Sequence, residues 1–299
     1  MHDVQILSTI DGSLQPATFY APRKATSPNA SAAPLLVALH QWSCGYDIPS
    51  AKVEYFTSAR KRGWAVIHPH FRGRNDNPHA CASEPAMQDI LDAVTFARRN
   101  ACIDPKRVYL LGCSGGGHMT LRMAAKAPQL WAAASAWVPI FDLTSWYAET
   151  KRAGHRYWKM LEAVCGVPPG TSEKIDREYR RRSPKTYLRR AADIPLDINA
   201  GIHDGHTGSV PISHSLLAFN LLARANGRPE KQLRASEIRS MVKTESIPAG
   251  LKYGGKETDR KHVILFRRHA GPARITIFEG GHEIDSQTAM NWLATKRKR

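Results

Sequence analysis

No stretch of this chain approaches the roughly 18–20 uninterrupted apolar residues that a membrane-spanning helix needs, although 42% of its 299 residues are hydrophobic. No membrane partner is therefore expected. Cysteine is scarce: Cys44, Cys81, Cys102, Cys113 and Cys165 contain no C-x-x-C pair, which argues against a disulfide framework, a zinc site or dithiol chemistry. A Cys44–Cys81 bridge is the one pairing left open, against the alternative of two small buried residues. The opening segment "MHDVQILSTIDGSLQPATFYAP" alternates in polarity like a strand pair and lacks the order of a signal peptide, so the cytoplasm is the default compartment. Internal repeats and low-complexity tracts are missing. So are zinc-finger, glycine-clamp and aromatic ribonucleoprotein patterns, and no nucleic-acid partner is expected. "HPH" at 68–70 with His79 completes no ligand set of defined spacing, so neither metal nor other cofactor is expected.

Acidic residues are also few, 26 against 43 basic ones, leaving a net charge of +17. The excess is local. Residues 151–190 carry 12 basic and 4 acidic side chains, and residues 224–272 carry 12 and 5. Such a field attracts anions; a catalytically idle polyanion-binding protein is one reading of it, and a solvated surface is the plain one.

What is present is a rhythm of short apolar runs alternating with helical patterns, as in a mostly parallel sheet wrapped by helices. Eight strands are expected at 4–10, 14–20, 34–40, 64–69, 107–112, 131–139, 195–203 and 273–280. "HVILFRR" reads as a hairpin partner of the last, extending the sheet edge. Ser83 caps a helix whose Met87, Ile90, Leu91, Val94 and Ala97 share one face. The expected organisation is one domain over 1–299, with a cap-like, Trp- and Tyr-rich insertion at 141–190 and a second insertion at 224–262.

Gly112-Cys113-Ser114-Gly115-Gly116 matches G-x-S-x-G between a strand and a helical pattern, the setting of a nucleophile elbow. Downstream, "LDINAGIHDGHTGSVP" ends its strand at Asp204 and "RITIFEGGHEID" ends its strand at His282, the order of acid then base that such a serine requires. Ser114, Asp204 and His282 are therefore the expected catalytic residues. Asp197 is a weak rival, since it would point to a sheet face. The oxyanion is expected at the amide of Gly115 and at that of Gln41 or Trp42, Gln41 first because it directly follows the strand end at His40. Trp42 is a candidate for the acyl pocket or for the core. Arg72 and His206 are candidates for substrate contact; Arg72 and Arg74 have ion pairs with Asp76 and Glu84 as the alternative, and His203 flanks the acid as His206 does.

"FRGR", "IDPKRVYLLGCSGGGHMTLRMA", "RRSPKTYL", "GIHDGHTGSVP" and "GGHE" together resemble the α/β-hydrolase superfamily, within it the prolyl oligopeptidase-like and dienelactone hydrolase-like branch. The resemblance runs from Pro34 to near the end. It implies an α/β-hydrolase fold with Ser114 as nucleophile, Asp204 as acid and His282 as base. Oligopeptidases of this branch carry an amino-terminal β-propeller that filters peptides, whereas about 30 residues precede the first core strand here. The basic, aromatic insertions at 141–190 and 224–262 are instead similar to those of carbohydrate and acetyl esterases of the family, a likeness that implies a serine esterase acting on small acyl or carbohydrate esters, with a prolyl oligopeptidase-like peptidase as the alternative.

Overall fold

The computed structural model describes residues 1–47, 49–251, 253 and 260–298. Its strands are β1 (His2–Leu7), β2 (Leu14–Tyr20), β3 (Ala33–Leu39), β4 (Ala65–Pro69), β5 (Ile103–Cys113), β6 (Ala133–Trp137), β7 (Leu196–Gly201), β8 (Ile264–Ala270) and β9 (Ala273–Phe278). Its helices are α1 (Pro49–Lys61), α2 (Glu84–Asn100), α3 (Gly115–Lys126), α4 (Leu143–Arg152), α5 (Tyr157–Cys165), α6 (Glu173–Arg182), α7 (Pro184–Tyr187), α8 (Ser213–Ala225), α9 (Ala235–Thr244) and α10 (Ser286–Ala294).

The strands form one sheet in the order β1-β2-β4-β3-β5-β6-β7-β9-β8. From β4 to β9 all neighbours are parallel, and the antiparallel pairs lie at the two edges. Burial explains the pattern. Every residue of β3, β4, β6 and β7 is buried, as expected of parallel strands covered by helices on both faces, where apolar runs need not alternate. Edge strand β1 exposes four of its six residues and shields itself through the β2 pairing.

Nine strands are present among the described residues rather than the eight expected. The ninth is β8, the hairpin partner of β9. The strand expected over 131–139 is shortened to Ala133–Trp137 because Val138 takes a left-handed φ of 42° and turns the chain out of the sheet. Ser83 does cap α2, its hydroxyl accepting the Ala86 N–H at 3.1 Å.

Residues 141–190 form α4 to α7. Leu143, Trp146 and Tyr147 of α4, Leu161, Val164 and Cys165 of α5, and Tyr179 of α6 build a second apolar cluster that also takes in Trp42 and Cys81. Within the segment 224–262 the longest complete helix is α9; residues 252 and 254–259 lie outside the described residues.

Candidate active site

β5 delivers the chain to Ser114, which sits at φ 57° and ψ −118° before α3 begins. A non-glycine residue there costs about 1–3 kcal/mol. The turn is held because the Ser114 N–H donates to the Trp137 carbonyl at 2.9 Å and the His118 N–H donates to the Ser114 carbonyl at 2.8 Å. The glycines are required by contact. A Cβ at Gly115 would lie 2.4 Å from the Trp42 nitrogen, one at Gly116 would lie 2.3 Å from the Leu39 oxygen, and one at Gly117 would lie 2.7 Å from the Trp137 oxygen. The first turn of α3 is thus seated directly on the ends of β3 and β6.

Asp204 and His282 leave the carboxyl ends of β7 and β9, two strands that are neighbours in the sheet. Nδ1–H of His282 donates to Asp204 Oδ2 at 2.8 Å. Asp204 is buried, and its other oxygen accepts the Val210 N–H at 3.1 Å. An acceptor-only carboxylate requires the proton on Nδ1, which leaves Nε2 with a lone pair to receive a proton. Gly208 makes room for the pair: a Cβ on it would sit 2.3 Å from Asp204 Oδ1 and 2.6 Å from the His282 Cβ.

At the end of β3 the chain turns under α3. The backbone nitrogen nearest a Cβ built on Gly115 is that of Trp42, while the carbonyl of Gln41 accepts the Cys44 N–H at 3.3 Å. Trp42 N–H has no acceptor among the described residues, and the Gly115 N–H opens a helix, where no intrahelical acceptor exists. Two donors therefore sit side by side next to Ser114, an arrangement able to hold an anionic oxygen. The Trp42 indole, a candidate for the acyl pocket, is only 2% exposed. It packs edge-on against Trp146 at 4.7 Å and against His118 at 6.1 Å. Burial pushes His118 down to about 3, which leaves a neutral ring whose Nδ1 faces the Ile140 carbonyl.

Other expected contacts are placed elsewhere. Arg72 does not face the site: its guanidinium donates to Asp89 and Asp11, 2.6 Å from each, and to Ser8 at 3.0 Å. It ties the β1–β2 hairpin to α2. Arg74 pairs with Asp76 at 2.7 Å, while Glu84 is taken by Lys126. His206 turns toward α9, its Nε2 donating to the Val242 carbonyl at 2.6 Å. His203 lies between Glu245 and Glu279 at 2.7 and 2.6 Å, and their hydrogen bonds raise its pKa. Asp197, fully buried on the sheet face, accepts from Arg274 at 2.7 Å and from Asn199 at 2.8 Å. Cys44 and Cys81 are free thiols rather than a bridge. His68, His70 and His79 belong to no cluster able to hold a metal among the described residues.

Two residues to which the sequence assigns no site role stand close to the site. Asn75 is fully buried, and Arg182 of α6 is 2% exposed. Beside the loop that carries Asp204 lies a cavity of about 240 Å³ whose lining includes Glu149, Arg152, His155, Gly205, Gly208 and Ser209.

Residues 50–237 match the Prolyl oligopeptidase family. No curated protein matches the chain. Among solved structures it is similar to a Pyrococcus horikoshii acylaminoacyl peptidase, at 16% identity and a TM-score of 0.61 over 97% of this chain and 39% of that one. It is similar to a Mycobacterium tuberculosis puromycin-hydrolyzing peptidase, at 20% identity and a TM-score of 0.62 over 98% of this chain and 37% of that one. A thermostable esterase matches at 16% identity and a TM-score of 0.56, over 99% of this chain and 63% of that one. This chain therefore spans less than half the length of either peptidase. At such identities the likeness is one of fold, and the shared fold is that of the α/β-hydrolases.

Proposed function

Given that the chain belongs to the prolyl oligopeptidase family of serine hydrolases, we propose that it hydrolyses carboxylic esters through an acyl-enzyme on Ser114. Ser114 Oγ attacks the ester carbonyl carbon as its proton passes to Nε2 of His282, while Asp204 keeps the Nδ1 proton in place. The tetrahedral oxyanion is received by the amides of Gly115 and Trp42. Its collapse breaks the bond to the alcohol oxygen, which departs with the proton from Nε2. Water then attacks the acyl carbon, gives a proton to Nε2 and releases the acid, and that proton returns to Ser114 Oγ. The observation that carries the reading is the 2.8 Å Asp204–His282 hydrogen bond at the same sheet edge as the strained Ser114.

An ester is favoured over a peptide bond by the aromatic and basic helices of 141–190, which act as a cap. The cavity beside the acid loop gives a polar alcohol room near Arg152, His155 and Glu149. A thermostable esterase shares the fold over nearly all of this chain, as the peptidases do. A peptidase is the second reading, because acylaminoacyl and puromycin-hydrolyzing peptidases share the fold. A fluorophosphonate probe should label wild type and not Ser114→Ala. Comparing kcat/KM for p-nitrophenyl acyl esters and for aminoacyl p-nitroanilides then decides between the readings; a preference for the anilides overturns the ester.

A further inference from the structure

The Trp42 amide lies in a loop without regular secondary structure, so something must hold it against α3. A continuous hydrogen-bonded chain does so. The Trp42 carbonyl accepts the Asn75 N–H at 2.9 Å. Asn75, fully buried, uses its side-chain Oδ1 to accept the Cys81 N–H at 2.9 Å. Cys81 and Ala82 both hold left-handed φ angles, 46° and 54°, which bulky residues resist. The strained loop is clasped from outside. Arg182, at the end of α6, donates from Nη1 to the carbonyls of Ala80 and Cys81 at 3.0 and 3.1 Å and from Nη2 to that of Pro78 at 2.9 Å. Its charge is offset by Glu178, whose carboxylate lies 3.5 Å from Nε.

Burying a guanidinium is costly, and a well-packed apolar residue of similar volume commonly does as well for stability. What an apolar residue lacks is a planar fork that fixes three carbonyls at once. The Trp42 indole is held from the same side, because it packs in one apolar cluster with Tyr179, one helical turn before Arg182.

We infer that Asn75 and Arg182 are positioning residues that set the Trp42 amide as an oxyanion donor, so that the helices of 141–190 govern transition-state stabilisation as well as access. The inference rests on the proposed acyl-enzyme reading. Neither side chain is placed to touch the substrate: both fix the 78–82 loop, and the backbone N–H of Asn75, which alanine keeps, links that loop to the Trp42 carbonyl.

The test uses the full-length protein as wild type, Asn75→Ala and Arg182→Lys, the second keeping the charge while losing the fork. Each is assayed on an aryl ester and on its thionoester, in which sulfur replaces the carbonyl oxygen. Sulfur is larger and a weaker acceptor, so a well-formed oxyanion site favours the oxygen ester strongly, and a misplaced donor erodes that preference. Expected for both variants is a kcat lower by about 10- to 100-fold, KM within about threefold, and an oxygen-to-thiono rate ratio reduced by about tenfold. An unchanged kcat, or a lower kcat with the wild-type ratio, overturns the inference, since loss of active protein lowers both rates equally. Arg182→Lys decides the matter if Asn75→Ala does not fold. A wild type that takes no fluorophosphonate label and cleaves neither ester nor anilide sinks the acyl-enzyme reading itself, and the inference with it.

Discussion

Replacing Gly208 with alanine tests the acid–base pair with one methyl group. Gly208 is not among the residues with a left-handed φ, so alanine meets no backbone penalty and only the new Cβ matters. That atom would stand 2.3 Å from Asp204 Oδ1 and 2.6 Å from the His282 Cβ, where ordinary contact begins at 3.4 Å. About 1 Å must be gained, and Asp204 cannot supply it freely because Val210 and His282 hold its two oxygens. A misplacement of about 1 Å in a catalytic geometry costs on the order of 100-fold, about 2.7 kcal/mol in the barrier. The expectation is a kcat about 100-fold below wild type on a p-nitrophenyl ester, KM little changed, and fluorophosphonate labelling of Ser114 slowed in step. Thermal unfolding should shift by only a few degrees. A Gly208→Ala protein with wild-type kcat and labelling rate would refute the assignment of Asp204 and His282 as the working pair.

Three further outcomes are expected. Asp204→Asn should lower kcat by about 10³- to 10⁴-fold with the fold intact by circular dichroism, because an amide NH₂ facing Nδ1 reverses the imidazole tautomer; wild-type turnover would move the acid elsewhere. The buried Asp197 carboxyl is pushed up by burial but pulled further down by Arg274 and Asn199, so its pKa is net lowered. Its contribution to stability is present above the unfolded carboxylate pKa of about 3.9 and is lost as the pH falls through the lower folded value; the melting temperature of wild type should therefore fall below about pH 4 more steeply than that of Asp197→Asn, and parallel curves would deny it this role. Esters with an anionic alcohol should show kcat/KM falling as salt rises from about 10 to 500 mM, as screening weakens the basic helices; identical rates would reduce those charges to solvated surface.

The legible parts of the sequence were those where local pattern and fold agree. β3 to β7 and β9 announce themselves as apolar runs because both of their faces are covered. Ser114, Asp204 and His282 stand out because they come after strands in the required order, Ser114 directly after β5 and the other two on short loops beyond Gly201 and Phe278, where the strands end sooner than the expected Asp204 and His282. β8 was expected only as a hairpin extension, since Arg267, Arg268 and His269 give it the look of solvated surface. Arg72 was misplaced for a different reason: its partner Asp11 lies 61 residues away in the chain, and no local signal reports such a pairing. Trp42 is legible both as a backbone amide and as a side chain, and the order of preference between it and Gln41 is what local sequence does not give: the backbone nitrogen that meets the elbow is that of Trp42. Neither Asn75 nor Arg182, although Arg182 lies within "RRSPKTYL", shows its role in the sequence, because the contacts that matter are largely to main-chain atoms, which every residue possesses.

The seat of α3 has an evolutionary consequence. Because side chains at positions 115 to 117 would each strike the backbone around β3 or β6, three successive positions beside Ser114 are closed to variation. On the proposed acyl-enzyme reading, substitution there is expected to yield inactive protein and not altered selectivity. Under that reading new substrate preferences are acquired at a distance, in the helices of 141–190, and a saturation library should find its functional diversity there while returning only glycine at 115–117.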